Sequence, residues 1–287
     1  IMPNASLPPQ KQMTTMLGHP VAENPIDQMF DAVYAHYGLR WQFWKCDVTS
    51  ENKIAAAIAG IKALGFAGAC ITVPYKVVSI PQLDEVDDDV RAIGAANYIT
   101  IKDGRLIGHN NDGKGVVKAI QKVTPIKGKR IVMLGAGGAG RAMAVELAWA
   151  GASHLTLITR RESQGTEVAQ TVTRASGVPA EWVQWSGKVL VPEGTRILMN
   201  ATHLGAAPEQ EPVPVNWETV SKDITVVDVI TNPRLTPFLK AARDKGCPIV
   251  DGVEMLVQLA MQIFEEWTGI KPDEAIFQRA VAKALGE

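Results

Sequence analysis

The sequence lacks an excess of charge of either sign. Its 287 residues hold 29 lysines and arginines against 30 aspartates and glutamates, which gives a formal net charge of −1. No basic run is present, although proteins that bind nucleic acid or anionic membrane surfaces normally carry a concentrated positive patch. The charge balance therefore argues against a nucleic-acid partner and against attachment to a membrane surface.

Cysteine is scarce, and the three cysteines are Cys46, Cys70 and Cys247. Their number is odd, they lie far apart, and no Cys-x-x-Cys or His-x-x-x-His spacing occurs. We therefore expect neither a disulfide framework nor a bound metal ion, and the reducing cytoplasm is the expected location.

Long apolar runs are also absent. The most apolar segment, 131–158, is interrupted by Arg141, Glu146 and several glycines, which a membrane span of about 20 apolar residues does not tolerate. The first residues show no basic segment followed by an apolar stretch, so we expect no targeting segment and a loose N-terminal arm. A chain of this length most simply forms two domains.

Short β-rich runs alternate with helical ones from residue 16 to residue 101, which indicates a mainly parallel sheet. The pattern predicts helices near 28–37 and 51–64, and strands at 42–48 and 68–73. The segments on either side of Asp103-Gly104 are β-rich, and this dipeptide is typical of a two-residue hairpin turn. We expect that hairpin to close the first sheet.

A second α/β unit follows a helix predicted at 113–123. A strand at 130–134, a helix at 138–150 and a strand at 154–159 make a βαβ unit, and further strands are predicted at 180–184, 196–199 and 225–228. An apolar stripe predicts a helix from residue 255 to 267, and a last helix begins near Pro272. The fold class is therefore α/β with two domains. We expect an N-terminal substrate domain of residues 1–112 plus 246–287 and a Rossmann-type dinucleotide-binding domain of residues 113–245.

The strongest local motif is a glycine-rich turn between the strand at 130–134 and the helix after it. It satisfies G-x-G-x-x-G with Gly135, Ala136, Gly137, Gly138, Ala139 and Gly140. Glycines at this point allow a tight turn and a close approach to a pyrophosphate, which the helix N-terminus binds with its free N–H groups. The alternative is a glycine-rich turn that binds no ligand.

The residues after the next strand bear on the choice of cofactor. The strand ends in Thr159, Arg160 and Arg161, and two guanidinium groups suit the 2′-phosphate of NADP. Glu162 comes next and would suit the free ribose of NAD. We therefore favour NADP and keep NAD as the alternative. A third interpretation is that the two arginines are solvated and bind no ligand.

Two polar residues are candidates for acid–base chemistry. Lys76 follows a strand end, where ligands of open α/β sheets bind, and Asp112 begins a helix. Taken singly, each residue has a simpler explanation: Lys76 is a solvated surface lysine, and Asp112 is the N-terminal cap of its helix. Together they make a workable proton-transfer pair beside a dinucleotide.

These residues belong to a series of motifs that resembles the shikimate/quinate dehydrogenase family over nearly the whole chain. The matching segments, in family order, are Gly18–Ala22, Thr72–Lys76, Gly94–Asn97, Gly108–Asp112, Gly135–Arg141, Asn200–Thr202 with Gly205, Asp228 with Pro233 and Thr236, and Gly252 to Gly269.

The resemblance implies that Lys76 and Asp112 form the catalytic pair and that Thr72 and Asn97 hydrogen-bond hydroxyl groups of the substrate. It further implies that Asn200, Thr202, Val229 and Gly252 contact the cofactor, together with the glycine turn.

The chain departs from the family pattern where the substrate carboxylate is bound. Asn24 and Ile26 stand at two serine positions, and Leu259 stands where a substrate-contacting glutamine is expected. Gln258 and Gln262 flank that position and are expected substrate-binding residues, and Gln262, one turn on, is expected to replace the glutamine in part. Cys70 and Thr231 also stand at an asparagine and a tyrosine of the family. This pattern resembles the shikimate dehydrogenase-like paralogues more than the biosynthetic enzyme.

The expected activity is reversible hydride transfer between NADP and a hydroxyl or ketone of shikimate, 3-dehydroshikimate or a close ring acid. The expected partner is this small hydroxylated acid, and the protein is expected to be a monomer or a homodimer. One alternative is the same chemistry on quinate or another shikimate-like compound. Another is a non-catalytic regulator that senses a dinucleotide, although such a sensor has no need of Lys76 and Asp112.

Overall fold

The computed structural model describes residues 11–287, and the expectation of a loose N-terminal arm without a targeting segment falls on residues 1–10, outside that range. The described residues form two six-stranded sheets with helices packed around them. Within this range, no helix is both long enough and apolar enough to cross a membrane.

The first sheet is mixed and contains the strands of the N-terminal part. These are β1 (Gln12–Gly18), β2 (Trp41–Asp47), β3 (Gly68–Ile71), β4 (Glu85–Val86), β5 (Tyr98–Lys102) and β6 (Arg105–His109), in the order β2-β1-β3-β5-β6-β4. Strands β1, β2 and β3 run parallel, and β5 is antiparallel to both β3 and β6. The carboxyl ends of β1 and β3 therefore meet at one edge of the sheet.

The predicted hairpin is present, but it does not end the sheet. Asp103 has φ 50° and Gly104 has φ 72°, and two successive positive values match the tight turn that joins β-strands with their native twist. The short strand β4 pairs in parallel with β6 and forms the actual edge. The expectation that the hairpin closes the sheet was therefore wrong, because a strand of two residues gives too short a pattern to detect.

The helices of this part connect the strands. They are α1 (Ile26–His36), α2 (Ile54–Ala63), which continues a 3₁₀ turn at Glu51–Lys53, and α3 (Asp88–Ile93). Helix α1 buries Ile26, Met29, Phe30, Val33 and Tyr34 on one face. Spacings of three and four residues produce this face, as expected for a helix packed on a sheet.

The second sheet is entirely parallel. Its strands are β7 (Arg130–Leu134), β8 (His154–Thr159), β9 (Ala180–Gln184), β10 (Thr195–Asn200), β11 (Thr225–Asp228) and β12 (Ile249–Val250), in the order β12-β11-β10-β7-β8-β9. Counted within this unit, the order is 3-2-1-4-5-6 from β9 to β12, which is that of a dinucleotide-binding Rossmann fold. Helices α5 (Gly138–Trp149), α6 (Glu162–Ser176) and α7 (Pro237–Asp244) belong to this unit.

Three further helices pack beside the two sheets. Helix α4 (Asp112–Gln121) packs against α5 and also against α8 (Gly252–Thr268), while α9 (Glu274–Ala284) packs against α1. The indole Nε1 of Trp267 in α8 donates to the carbonyl oxygen of Ile99 in β5 at 3.1 Å. The rings of Phe30 and Phe277 meet edge to face at 6.4 Å. Helix α8 therefore contacts the first sheet through Trp267, and α9 packs on α1 of the same part.

Candidate active site

A buried ion pair lies where the first sheet meets the second unit. Lys76 lies in the turn after β3 and is 8 % exposed, and Asp112 is the first residue of α4 and is 3 % exposed. The ammonium of Lys76 donates to Oδ2 of Asp112. Two charges withdrawn from water in this way stabilise each other, and neither retains a full hydration shell.

Asp112 is not the N-terminal cap of its helix. Its carboxylate accepts from Lys76 and, at Oδ1, from the side-chain amide of Asn97 at 3.0 Å. Asn110 stabilises the turn before α4 instead, because its side-chain Oδ1 accepts from the backbone N–H of Asp112 at 3.1 Å. Asn110 lies in the same sequence cluster as Asp112, but its role depends on the bend of the backbone.

Asn97 and Asn111 hold this pair in place from two sides. The Asn97 amide also donates to Oδ1 of Asn111 at 2.8 Å, and Oδ1 of Asn97 accepts from the backbone N–H of Asn111 at 3.0 Å. The Asn111 amide in turn donates to the carbonyl of Leu259 at 2.9 Å. Strand β5, helix α4 and helix α8 are thereby tied together around Asp112, and the sequence analysis missed Asn111.

The backbone around Lys76 is also held. The carbonyl oxygen of Lys76 accepts from the N–H of Ala96 at 2.8 Å, and the hydroxyl of the preceding residue, Tyr75, donates to the carbonyl of Val48 at 2.5 Å. A lysine side chain is flexible, so fixing its backbone on both sides reduces the freedom of the ammonium.

A cavity of about 200 Å³ opens beside the ion pair. The first sheet, the loops at its carboxyl edge and the first residues of α1 and α4 contribute one part of the wall, and α5, α8 and the loop after β11 contribute the rest. The lining residues are Met16, Asn24, Ile26, Cys70, Ile71, Thr72, Val73, Lys76, Asn97, Asp112, Ala139, Met143, Val229, Thr231, Gly252, Met255, Leu256, Leu259 and Ile263. The cavity thus lies between the two sheets, at the edge where parallel α/β sheets bind ligands.

The structure brings four of the six predicted substrate-binding residues into this wall: Asn24, Ile26, Thr72 and Asn97. Gln258 and Gln262 are not part of it. The Gln258 amide donates to Glu254 at 3.1 Å, and the Gln262 amide donates to the carbonyl of Gln258 at 3.2 Å. Gln258 lies about 100° from Leu259 around the helix axis, and the bond from Gln262 to the Gln258 carbonyl holds the Gln262 side chain along α8.

Several lining residues were not singled out as site residues in the sequence. Met143 lies on α5, and Met255, Leu256 and Ile263 lie on α8. Their apolar side chains and spacing indicate ordinary core positions. Only the packing of α5 and α8 in the folded protein brings these side chains to the cavity.

The glycine turn between β7 and α5 has the shape that a pyrophosphate requires. Gly135 has φ 92°, and a Cβ there would lie 2.9 Å from the carbonyl oxygen of Ala201. A Cβ on Gly140 would lie 3.0 Å from the carbonyl oxygen of Gly135. Gly137 precedes α5 and offers no capping side chain. The first N–H groups of α5 are therefore accessible to an anion at the helix N-terminus.

The carboxyl end of β8 presents two arginines. Arg160 and Arg161 are exposed, and the Arg160 guanidinium lies 5.6 Å from the centre of the Trp185 ring. The buried Thr159 hydroxyl donates to the carbonyl of Arg161 at 2.9 Å and so shapes this turn. Within residues 11–287, neither arginine has an acidic partner, so both are available to a phosphate group.

Asn200 shapes the loop after β10. Its amide donates to the carbonyl of Leu204 and to Asp228, both at 3.0 Å, and its Oδ1 accepts from the N–H of Thr202 at 3.1 Å. Burial raises the pKa of Asp228 to about 7, although hydrogen bonds from Thr236 and the Ile230 N–H act in the opposite direction. Both protons of the Asn200 amide and its Oδ1 therefore have hydrogen-bond partners within the protein. Thr202 lies beside Gly135 of the glycine turn.

The other two predicted cofactor residues line the cavity. Val229 follows β11 and Gly252 begins α8. A Cβ on Gly252 would lie 2.3 Å from the carbonyl oxygen of Ile230, so the start of α8 packs directly on the loop after β11. The glycine turn, the arginine pair and this loop lie at the carboxyl edge of the second sheet.

The fold and the site define a two-domain α/β oxidoreductase, with a Rossmann-type unit beside a buried lysine–aspartate pair. Residues 16–99 match the family model described as the shikimate dehydrogenase substrate binding domain. The chain is 38 % identical over 280 residues to the shikimate dehydrogenase (NADP⁺) of Moorella thermoacetica, covering 96 % of this chain and 94 % of that protein. The chain belongs to the shikimate dehydrogenase family.

Two solved structures have the same architecture. The ligand-free 5-ketofructose reductase of a Gluconobacter species is 39 % identical, with a TM-score of 0.87 over 96 % of this chain and 99 % of that one. A shikimate dehydrogenase in complex with NADP⁺ is 31 % identical, with a TM-score of 0.89 over 96 % of both chains. Members with different substrates in their names therefore share this fold at similar levels of identity.

Proposed function

We propose that this protein is an NADP-dependent oxidoreductase of the shikimate dehydrogenase type. It transfers a hydride reversibly between the nicotinamide and a hydroxyl or ketone carbon of shikimate, 3-dehydroshikimate or a close ring acid. The observation that carries the proposal is the buried Lys76–Asp112 pair in the wall of a cavity that helix α5 also lines. The names of the relatives support the same chemistry.

The residues around the second sheet fit NADP. The crowded Gly135 and Gly140 leave room for a pyrophosphate where a larger side chain would collide, and Arg160 and Arg161 are free to bind a 2′-phosphate. When bound, the nicotinamide supplies or accepts the hydride. NAD remains the alternative, because Glu162 follows the arginines and is exposed.

Lys76 and Asp112 carry out the proton transfer. In the direction of reduction, the Lys76 ammonium donates a proton to the carbonyl oxygen that receives negative charge as the hydride arrives. Asp112 orients this ammonium and keeps it close to the reacting oxygen. Thr72 lines the cavity and binds a substrate hydroxyl, while Asn97 has one free acceptor position for another.

The proposed division of labour follows the two sheets. Residues 1–112 plus 246–287 form the substrate domain, and residues 113–245 form the dinucleotide-binding domain. The packing of α9 on α1 and the bond from Trp267 to Ile99 support the assignment of the C-terminal helices to the first domain. We assign the reaction to the cytoplasm, where unpaired cysteines such as Cys46, Cys70 and Cys247 stay reduced.

Quinate or another ring compound is a second candidate substrate, because Ile26 and Leu259 line the cavity where the family pattern has hydrogen-bonding residues. A regulator that only senses a dinucleotide is a poorer candidate, because it would not require the buried Lys76–Asp112 pair.

Absorbance at 340 nm tests the proposal directly. Purified protein is assayed with NADP and NAD against shikimate and quinate, beside the variants Lys76→Ala and Asp112→Ala. Lys62→Ala is the matched control, because Lys62 forms an exposed ion pair with Asp84. The parent and the control turn over substrate, and the two site variants lose at least about 100-fold in kcat, as expected for a proton-transfer group. Undiminished turnover by Lys76→Ala would overturn the proposal.

A further inference from the structure

The wall of the cavity formed by helices α1 and α8 is apolar. Ile26 begins α1, and Leu256, Leu259 and Ile263 line the cavity from α8. All four side chains are less than 9 % exposed. None of them offers a hydrogen-bond donor or acceptor, so a group of the substrate that lies against this wall loses water without gaining a polar partner.

The cavity wall carries no net charge from its side chains. Among the described lining residues, Lys76 and Asp112 are the charged ones, and they pair with each other. The polar remainder consists of uncharged side chains such as Asn24, Thr72 and Thr231. A ligand carboxylate would therefore meet no unpaired cation here, and a buried anion without such a partner is strongly disfavoured.

Lys45 lies close to this corner, but its ammonium is already bound. It donates to the carbonyl oxygens of Ala22 at 2.8 Å and Asn24 at 2.9 Å, and it lies 3.2 Å from the carboxylate of Asp27. Two of its three protons have hydrogen-bond acceptors in the protein, and the Asp27 carboxylate pairs with its charge. Releasing Lys45 to bind a substrate would leave both carbonyl oxygens without this donor and Asp27 without its cation.

Asn24 gives only a partial replacement for a hydroxyl donor. Its Oδ1 accepts from the backbone N–H of Ile26 at 3.0 Å, which fixes the side chain at the start of α1. Its NH₂ group remains a neutral donor. A neutral amide suits a substrate hydroxyl or carbonyl, whereas a carboxylate needs several donors or a positive charge.

We infer that this pocket is best suited to an uncharged polyhydroxylated ketone and that ring acids are its weaker substrates. The inference rests on the hydride-transfer chemistry of the proposed function and changes the preferred substrate from a ring acid to an uncharged ketone. The carbonyl carbon accepts a hydride from NADPH and the oxygen takes a proton from Lys76, which water then reprotonates. The products are a secondary alcohol and NADP⁺. The Gluconobacter relative is named for the reduction of such a ketone.

The first experiment compares two ketones with NADPH at 340 nm. The uncharged one is 5-ketofructose and the anionic one is 3-dehydroshikimate. We expect kcat/KM to be at least tenfold higher for the uncharged ketone, which corresponds to about 1.4 kcal/mol of transition-state binding. An equal or higher value for 3-dehydroshikimate would overturn the inference.

Two substitutions test the residues named. Ile26→Ser and Leu259→Gln each add a donor to the apolar wall, and each should shift the ratio of the two kcat/KM values at least fivefold toward 3-dehydroshikimate. Ile26→Val is the matched control, because it changes the same side chain without adding a donor. A thermal unfolding scan checks that each variant folds, and the two variants act from different helices, so one suffices if the other unfolds.

The outcomes separate this inference from the proposed function. If 3-dehydroshikimate is the better substrate, the oxidoreductase assignment stands and the inference fails. If Ile26→Ser and Leu259→Gln fold but leave the ratio unchanged, the inference also fails. If NADPH binds, as followed by its fluorescence, and neither ketone nor the alcohols of the first assay react, both the proposed function and the inference fail.

Discussion

Gly138 and Lys76 touch across the cleft between the two sheets. A Cβ added to Gly138, the first residue of α5, would lie 3.1 Å from the Cβ of Lys76. The turn that would hold the pyrophosphate is thus packed directly on the lysine proposed to move the proton. The position of the cofactor and the position of Lys76 therefore both depend on residue 138 being glycine.

Gly138→Ala should lower kcat by about tenfold or more. The added methyl group is closer to Lys76 than ordinary van der Waals contact allows, and a small displacement of a catalytic group has a large effect on rate. Gly60→Ala is the control, because a Cβ on Gly60 in α2 meets nothing within 4 Å and Gly60 does not line the cavity. Steady-state kinetics that fail to separate the two variants would contradict a specific contact with Lys76.

Asn97→Ala should lower kcat about 10- to 100-fold while the affinity for NADPH stays constant. Both protons of the Asn97 amide are used within the protein, by Asn111 and Asp112. Its loss therefore removes a bond that orients Asp112 toward Lys76, and supporting bonds of this kind matter for reaction geometry. Stopped-flow and fluorescence titration separate the two effects. A raised KM with unchanged kcat would mean instead that Asn97 only binds a substrate hydroxyl.

The double substitution Arg160→Ala with Arg161→Ala should raise the KM for NADPH at least tenfold and leave the KM for NADH unchanged. NADH lacks the 2′-phosphate that the exposed guanidinium groups would bind. Arg174→Ala is the control, because Arg174 lies about 18 Å away along α6 from Glu162. Equal effects on both cofactors would show that the arginines do not select between them.

Glu146→Gln should stabilise the protein at pH 8 and change little at pH 5. Glu146 lies on α5 against Gly113, its Oε1 has no hydrogen-bond partner among the described residues, and burial raises the pKa of its carboxyl from 4.5 to about 7. The unfolded chain releases this proton near pH 4.5 and the folded protein keeps it, so the free energy of unfolding falls as the pH rises to about 7.

Urea unfolding measures the effect of Glu146→Gln. The variant should exceed the parent by about 1–3 kcal/mol at pH 8. Glu193→Gln, which changes an exposed carboxylate, should leave the pH dependence as it is in the parent. A parent protein whose stability does not fall relative to Glu146→Gln between pH 5 and pH 8 would contradict the buried, protonated carboxyl.

The second unit was predictable because its strands carry their own signal. Strands β7, β8, β9 and β11 begin and end at the residues expected from the sequence. Parallel strands covered on both faces are continuous apolar runs, and the glycine turn marks where the first of them ends. This local information was enough to identify the dinucleotide-binding unit.

Two of the elements that the sequence pattern did not predict contain residues whose contacts form only in the folded protein. Strand β1 carries Thr14 and Thr15, whose hydroxyls bond to Tyr34 and to the carbonyl of Trp44. Helix α6 contains Gly165 at the point where Trp182 packs against it. Buried threonines and a helical glycine weaken the local pattern, and long-range contacts compensate for them.

The sequence by itself determined the two α/β units, the glycine turn, the Lys76 and Asp112 candidates and the loss of hydroxyl groups at Ile26. These follow from residue type and spacing within short segments. Only the tertiary structure decided that Leu259, and neither Gln258 nor Gln262, faces the cavity. The reason is the rotation of α8 about its axis, which packing against the first sheet sets and which no local pattern encodes.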